Sequence, residues 1–141
     1  MSCIFCDIVN GVEKAEIIFE DDSTISFLDI RPLNFGHSLV IPKKHYENFY
    51  NVADEDLHSV IKATQFLANA IKTSLNPDGI NIISNNGSSA GQTIYHFHFH
   101  IIPRFKSDHF TFRPQFRDYS EGLMKEFAEK IRSAIDFSKG K

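Results

Sequence analysis

The chain has 141 residues, 42% of them hydrophobic, and a formal net charge of -3. This length is enough to bury one hydrophobic core but not two full domains, so we expect a single domain over residues 1–141. The small negative charge excludes the broad basic field that holds long nucleic acids. Polar residues interrupt every apolar run, and residues 1–7 lack the pattern of a signal peptide. We therefore expect a cytoplasmic protein that binds neither a membrane nor an extended nucleic acid.

Two cysteines, Cys3 and Cys6, stand near the start of the chain at C-x-x-C spacing. In a reducing compartment this spacing indicates metal binding or redox chemistry more than a structural disulfide.

Three strands are predicted before the first long helix. Residues 17–19 and 24–28 are rich in isoleucine and phenylalanine and flank a polar turn, so we expect a hairpin. Residues 38–41 form a third strand, which is closed by Pro42.

A helix is predicted from Asp54, a candidate N-cap, to residue 75. Apolar or small residues recur there at steps of three and four until an Asn-Pro pair stops the pattern. Residues 79–84 then form a fourth strand, and residues 85–91 form a loop of small and turn-forming residues.

The fifth predicted strand covers residues 94–102 and ends at Pro103. Residues 104–118 show no clear period. A last helix is predicted from about Ser120 because one stripe carries Leu123, Phe127, Ile131 and Ile135.

Three histidines, His96, His98 and His100, alternate along the fifth predicted strand. Successive side chains of an extended strand point to opposite faces, so the three imidazoles share one face and the apolar residues between them share the other. At roughly 3.3 Å per residue, neighbouring histidines lie about 6 to 7 Å apart, close enough to contact one ligand.

The residue pattern leaves three interpretations of this row open. The histidines could face solvent, although histidine is not a favoured strand residue. They could bind a metal, but no neighbouring carboxylate completes a catalytic coordination sphere, so no catalytic metal is expected. They could instead act on phosphorus, because imidazole serves as a neutral nucleophile at one position and as a proton donor at another. The preceding Gly91, Gln92 and Thr93 offer backbone N–H, amide and hydroxyl groups for phosphate oxygens.

The run His-Phe-His-Phe-His-Ile-Ile at residues 96–102 resembles the signature of the histidine-triad (HIT) family, His-φ-His-φ-His-φ-φ with φ apolar. Further matches in order and spacing cover the chain from about residue 3 to residue 104: residues 27–30, 36–45, 85–87 and 90–93. The resemblance implies an α+β fold with a five-stranded antiparallel sheet and two helices, which pairs with a second copy into a homodimer. Residues 105–141 would form a C-terminal extension with a helix.

The resemblance also implies binding of an AMP-type purine nucleotide and transfer of a nucleotidyl group to the protein, followed by hydrolysis. His98 would attack the α-phosphorus and become nucleotidylated. His100 would contact the phosphate or the leaving group, and His96 and His37 would support the orientation and protonation of the others.

Positions that match the family imply the nucleotide contacts. The base would meet Phe5, Phe27 and Ile30, the ribose hydroxyls would meet Asp29, and the phosphate and leaving group would meet Asn85, Gly91, Gln92 and Thr93. The residue types alone leave alternatives open, since the three apolar residues could be core and Asp29 could form a turn.

Family members that begin with C-x-x-C bind zinc through both cysteines, the histidine after Pro-Lys-Lys and the first triad histidine. The corresponding residues here are Cys3, Cys6, His45 and His96. Four protein ligands make a closed, structural site, which would anchor the N-terminal segment and orient His96. The alternative is that both cysteines are reduced thiols at the edge of the core.

Within the family, residues 36–45 and the N-terminal third resemble the adenosine phosphoramidase branch, which would split a P–N bond to release AMP and an amine. Residues 90–93 and 102–104 also resemble the dinucleoside polyphosphate hydrolase branch, which is the alternative. A purine-nucleotide-binding regulatory protein is a third hypothesis, from another class. The eukaryotic phosphoramidase pattern ends in a tail with tryptophan, and this chain has none. The resemblance to that branch therefore does not extend over residues 105–141.

Overall fold

The computed structural model describes residues 2–110 and 113–135, which form two compact units. The first unit contains, in chain order, α1 (Ile4–Val9), β1 (Ile17–Glu20), β2 (Thr24–Leu28), β3 (Ser38–Pro42), α2 (Asp54–Leu75), β4 (Gly79–Ile83) and β5 (Phe99–Arg104). Short 3-10 helices cover Phe49–Asn51 and Ser88–Ala90. The second unit contains α3 (Leu123–Ala134). No helix in the described ranges is both long and apolar enough to cross a membrane.

The five strands form one antiparallel sheet in the order β1-β2-β3-β5-β4. The last strand inserts between β3 and β4, with Leu39 opposite His100 on one side and Ile82 opposite Ile101 on the other. The predicted α+β fold with a five-stranded antiparallel sheet is therefore confirmed. This topology places the histidine-bearing strand inside the sheet, next to the strand that follows His37.

Apolar residues cover both faces of the central strands, because successive side chains of a strand alternate. On one face, α2 packs over a cluster formed by Val40, Val60, Ala63, Leu67, Ile71, Phe97 and Ile101. On the other face, α1 packs over a cluster formed by Phe5, Ile8, Ile25, Phe27, Leu39 and Ile41. Each large apolar side chain buried in this way contributes about 1.5 to 3 kcal/mol. The second cluster holds α1 beside the histidines.

The long helix α2 begins and ends where the sequence pattern predicts, but its N-cap is different. Ala53 is the N-cap and makes no side-chain cap bond, so the prediction that Asp54 caps the helix is wrong. Asp54 is instead the first of three acidic residues in the first turn, where negative charge interacts favourably with the helix dipole. Asn76 ends the helix in the left-handed conformation.

The helix α1 was not predicted from the sequence. Its N-cap is Cys3, whose Sγ accepts a hydrogen bond from the Cys6 N–H at 3.4 Å. Six residues are too few to display a helical period, and cysteine is not among the residues preferred as N-caps.

The fifth strand begins at Phe99 and not at residue 94, so His96 and His98 precede it. Pairing with β3 stops at Val40 opposite Phe99. Beyond that point the Phe97 N–H donates to the Tyr46 carbonyl at 2.7 Å. It is therefore not available for strand pairing between this segment and β3. The alternation of side chains still holds, since Phe97 and Ile101 are fully buried on the α2 side.

The last predicted helix is present as α3, which starts three residues later than the predicted Ser120. Gly122 precedes it with φ +80°, and Ile135 ends it. The remaining predicted residues of the C-terminal extension, 136–141, and residues 111 and 112 lie outside the described part of the chain.

Candidate active site

A cleft of about 560 Å³ opens between α1, β2 and the histidine segment. Most of the residues that the sequence predicts as nucleotide contacts line it, together with two of the three triad histidines: Phe5, Phe27, Asp29, Ile30, Asn85, Gly91, Thr93, His98 and His100. His37 and His96 lie buried behind the cleft.

Two aromatic rings form the apolar wall of this cleft. The ring of Phe5 meets the ring of Phe27 edge to face at a centroid distance of 5.3 Å, and it meets the imidazole of His98 in the same way at 5.2 Å. Both phenylalanines are also buried in the core, so they belong to the core and to the cleft at once. Ile30, by contrast, lies at the rim and is 86% exposed.

The tautomer of His98 is set by a backbone carbonyl. Its Nδ1 lies 2.6 Å from the carbonyl oxygen of His96, and a carbonyl can only accept. The proton of the neutral ring is therefore on Nδ1, and Nε2 keeps its lone pair. Burial lowers the pKa of His98, which favours this neutral form. The ring is consequently a neutral imidazole with a free Nε2 in the wall of the cleft.

The tautomer of His100 is set through His37. The Leu33 N–H donates to His37 Nδ1 at 3.1 Å, so the proton of His37 is on Nε2. That Nε2–H lies 2.9 Å from His100 Nδ1 and donates to it. A neutral His100 therefore carries its proton on Nε2. Burial, with smaller contributions from His98 and His37, lowers the pKa of His100 to about 4, and burial also lowers the pKa of His37.

One oxygen of Asp29 forms a turn, and the other is close to the histidines. Oδ1 accepts from the Arg31 N–H at 2.9 Å, while Oδ2 lies 3.6 Å from His37 Nε2. Asp29, His37 and His100 are close enough to one another to share a metal ion. The Leu33 N–H argues for a hydrogen-bond network instead, because it occupies the lone pair of His37 Nδ1 and leaves Nε2 protonated.

The loop before the histidines contributes Asn85, Gly91 and Thr93 to the cleft but not the side chain of Gln92. The Gln92 amide is buried and holds the loop together: its oxygen accepts from the Gly87 N–H at 2.9 Å, and its nitrogen donates to the Glu47 carbonyl at 2.8 Å. Among the predicted phosphate contacts, Gln92 is thus the one whose side chain is already committed to the backbone.

A second cluster, made of Cys3, Cys6, His45 and His96, lies at the N-terminal end of α1. One donor atom of each residue lies within 4.8 Å of the others. His96 Nδ1 is 3.5 Å from each sulfur and 3.2 Å from His45 Nδ1, and His45 Nδ1 is 3.3 Å from Cys6 Sγ.

The ring of His96 is oriented to present the correct atom to this cluster. Its Nε2 lies 2.8 Å from the Pro42 carbonyl, so it carries the proton and Nδ1 keeps a lone pair towards the sulfurs. Burial lowers the pKa of His96 to about 4. Burial and the neighbouring Cys3 raise the pKa of the Cys6 thiol to about 11, an effect that a bound cation would reverse. These four residues can therefore hold a metal ion.

Several residues that line the cleft were missed by the sequence analysis. Ile4 and Ile8 come from α1, and their four-residue spacing was the available signal. Lys14 and Arg31 lie in connections, where no periodic pattern marks them.

The model of the HIT domain matches residues 10–107. An uncharacterised HIT-like protein of Methanocaldococcus jannaschii is 49% identical over 106 residues, which are 75% of this chain and 81% of that protein. The crystal structure of a member of the HIT family from Bacillus subtilis superposes with a TM-score of 0.90 at 36% identity and covers 96% of this chain and 99% of that one.

Three further relatives have informative names. The adenosine 5'-monophosphoramidase hnt1 of Schizosaccharomyces pombe is 39% identical over 74% of this chain and 75% of its own length. The adenylylsulfatase HINT3 of Arabidopsis thaliana is 36% identical over 92% of this chain and 66% of its own. A zinc-bound histidine triad family protein of Mycobacterium smegmatis superposes with a TM-score of 0.74 at 37% identity and covers 96% of this chain and 99% of that one. With the histidine signature, the fold and these matches in agreement, the chain belongs to the HIT domain family.

Proposed function

We propose that this protein is a nucleotide hydrolase that cleaves the P–N bond of adenosine 5'-phosphoramidates through a nucleotidyl-His98 intermediate. The observation that carries the proposal is the His98 tautomer. A backbone carbonyl holds the proton on Nδ1, so a neutral ring offers Nε2 to a cleft with an aromatic wall. His98 is the nucleophile, and His100, His37 and His96 support it.

The reaction then takes two steps. In the first, the Nε2 lone pair of His98 forms a bond to the α-phosphorus while the P–N bond breaks, and the leaving nitrogen departs with its electron pair and takes up a proton from solvent to become an amine. In the second, water attacks the phosphorus and the P–Nε2 bond breaks. The water supplies the new oxygen of AMP, and the proton that it releases to solvent replaces the one that the amine took up. His100 presents its Nε2–H to the phosphate or the leaving group.

The nucleotide contacts follow from the lining of the cleft. The rings of Phe5 and Phe27 offer an apolar wall for a purine, with Ile30 at its rim. Asp29 Oδ2 remains available for the ribose hydroxyls, because the Arg31 N–H occupies only Oδ1. The loop before the histidines offers the Asn85 amide, the Thr93 N–H and the Thr93 hydroxyl to phosphate oxygens. Gly91 lines the cleft beside them, but its N–H donates to the Ser88 carbonyl at 3.0 Å. Gln92 acts by keeping this loop in shape.

The named relatives support this choice of substrate, because one is called an adenosine 5'-monophosphoramidase. Another is called an adenylylsulfatase, so adenosine 5'-phosphosulfate, with sulfate as its leaving group, is a further substrate to test. The alternatives are a dinucleoside polyphosphate hydrolase and a purine-nucleotide-binding regulatory protein.

Turnover of a fluorogenic adenosine phosphoramidate, adenosine 5'-phosphosulfate and diadenosine polyphosphates by the purified chain separates these functions. The proposal predicts the highest kcat/KM with the phosphoramidate. The His98→Ala variant should lose at least about 10⁴-fold in kcat and still bind AMP, because the base and ribose contacts remain. His58→Ala, on the other face of the sheet, is the matched control. Equally negligible turnover of all substrates by parent and variant would favour the binding protein.

We further propose that the ion held by Cys3, Cys6, His45 and His96 is a structural zinc. Tetrahedral bonds of about 2.3 Å to sulfur and 2.0 Å to nitrogen separate a sulfur from a nitrogen by about 3.5 Å and two nitrogens by about 3.3 Å. The distances between donor atoms here are 3.3 to 3.5 Å and 3.2 Å. Zinc would stabilise α1, which carries Phe5.

Metal analysis of the untagged protein tests this proposal. We expect one zinc per chain in the parent and less than about a tenth of that in Cys3→Ser. Parent protein purified without stoichiometric zinc would contradict the assignment.

We also propose a homodimer formed in the cytoplasm, as the family resemblance implies. The strand β4 is an edge of the sheet and exposes Ile82, which is 51% accessible. Such an edge offers unpaired backbone groups to a second copy. Light scattering should give twice the mass of the chain, whereas a monomeric mass at micromolar concentration would contradict the proposal.

A further inference from the structure

A partly buried ion pair lies at the end of β5, outside the proposed catalytic groups. The carboxylate of Asp108 accepts from Arg104 at both oxygens, from Nε and from the terminal nitrogen, each at 2.9 Å. The Asp108 side chain is only 8% exposed. Arg104 also donates to Asn81 on β4 at 2.8 Å and to the Phe110 carbonyl. The guanidinium and the Phe105 N–H hold the pKa of Asp108 well below its usual range, so the pair stays charged and its two-point geometry is fixed.

Asn34 connects this pair to the turn before β3. Its amide nitrogen donates to Asp108 Oδ2 and to the Pro103 carbonyl, both at 2.9 Å. The backbone carbonyl of Asn34 in turn accepts from the His37 N–H at 3.0 Å. The side chain of Asn34 therefore ties the turn to the end of β5, and its main chain holds the main chain of His37.

The neighbouring Leu33 holds the ring of the same histidine. Its N–H donates to His37 Nδ1 at 3.1 Å and so sets the tautomer that leaves the proton of His100 on Nε2. A backbone N–H can select a tautomer only if the turn that carries it is fixed relative to the ring. The contacts of Asn34 attach this turn to the end of β5, in addition to the pairing of β3 that follows it.

We infer that Asn34 and Asp108 are positioning residues for the reaction: they fix the turn 33–37, which fixes the tautomer of His37 and thereby keeps a proton on His100 Nε2. The catalytic consequence rests on the proposed function, but the tautomers exist without substrate. If the turn is released, the His37 ring can take its other tautomer, and His100 then no longer presents its Nε2–H.

The sharpest test is Asn34→Ala, because it cuts the connection and leaves the pair between Arg104 and Asp108 intact. Nitrogen-15 spectra of the histidine rings at neutral pH report each tautomer directly. We expect the parent to show His37 and His100 protonated on Nε2, and the variant to show averaged nitrogen shifts at His37. We expect kcat for the phosphoramidate to fall about tenfold with KM changed less than about threefold, because the walls that bind the nucleotide remain.

Two further variants keep the test decisive. Glu129→Gln removes the ion pair with Arg132 on α3 and should leave both the tautomers and kcat as in the parent. Asp108→Asn preserves the shape of the side chain and removes its charge, and it provides the tautomer measurement if Asn34→Ala does not fold. We expect it also to give averaged shifts at His37.

The outcomes separate the inference from the proposed function. A folded variant with unchanged tautomers overturns the inference, even if its melting temperature and kcat both fall, because that result shows a structural role only. An inactive parent with the expected change of tautomer contradicts the proposed function and supports the positioning of His37. An active parent with averaged shifts and a lower kcat in Asn34→Ala supports both.

Discussion

Turnover should fall less on the acid side of neutrality than an ordinary imidazole would allow, because burial lowers the pKa of both histidines of the cleft, His98 and His100. Lowering the pH from about 7.5 to 5.5 would reduce the neutral fraction of an imidazole with the ordinary pKa of about 6.5 from roughly 90% to 10%. An enzyme that depends on such a group would lose about tenfold in kcat/KM. Burial lowers the pKa of His100 to about 4, at which about 97% of it is still neutral at the lower pH. Burial lowers the pKa of His98 too.

The assay is kcat/KM for a fluorogenic adenosine phosphoramidate across this range, corrected for hydrolysis without enzyme. Acid also releases metal from thiolate ligands, so enzyme held at the lower pH is returned to neutral pH and must recover full activity. Asp29→Asn is an informative variant, because the carboxylate raises the pKa of His37, His98 and His100. The acid limb of the pH profile of Asp29→Asn should lie at still lower pH. The variant should also raise KM, because Asp29 is a proposed contact of the ribose hydroxyls. A reversible acid limb centred at about pH 6.5 in the parent would refute the reasoning, because burial would then not control the nucleophile.

Three further predictions concern stability. Gly36→Ala should lower the free energy of unfolding by about 1 to 2 kcal/mol, because Gly36 has φ +94° and a Cβ there would lie 2.5 Å from the end of the Leu75 side chain. An unchanged midpoint in chemical denaturation would contradict this. Ser26→Ala should leave the free energy of unfolding unchanged or raise it by about 1 kcal/mol, because the buried hydroxyl has no hydrogen-bond partner within the described residues. A loss of stability of more than about 1 kcal/mol would show that the hydroxyl does have a partner. Metal-free protein should lose stability as the pH falls from about 6.5 towards 4. A histidine whose pKa is lowered in the folded state, such as His100, takes up its proton in the unfolded chain first, and this favours unfolding. A urea midpoint that does not change across that pH range would contradict this.

The sequence predicted the sheet and the long helix because their signals are local. The predicted strands over residues 17–19, 24–28 and 38–41 match β1, β2 and β3 to within one residue at each end. The last strand was predicted five residues too early, at residue 94 instead of Phe99, because its start depends on a distant partner. Pairing with β3 ends at Val40, and the Tyr46 carbonyl takes the next available N–H. Hydrogen-bond partners from distant parts of the chain do not change the local pattern of apolar residues, so that pattern cannot predict them.

The sequence named the residues of the candidate site but could not give the geometry within it. The resemblance to the family named His98 and the four possible metal ligands, and the structure brings each group of side chains together. It also named Gln92 as a phosphate contact, whereas the fold commits that amide to Gly87 and Glu47. A motif specifies which residue types occur at which spacing, but the backbone partners that decide what a side chain is free to do come from the fold.

The three histidines illustrate this division most clearly, because identical side chains present three different groups: a lone pair on Nε2, a lone pair on Nδ1 and a proton on Nε2. A carbonyl acceptor at Nδ1 leaves His98 with a free Nε2, and a carbonyl acceptor at Nε2 leaves His96 with a free Nδ1. The donor His37 at Nδ1 leaves His100 with a proton on Nε2.

His96 also links the group of possible metal ligands to the cleft that contains His98. Its ring faces the sulfurs, and its own carbonyl holds the proton of His98. An ion bound to the ring of His96 would therefore also fix the carbonyl that holds the proton on His98 Nδ1. In the proposed mechanism such an ion would take no part in the chemistry itself, and its rigidity would act on the tautomer of the nucleophile.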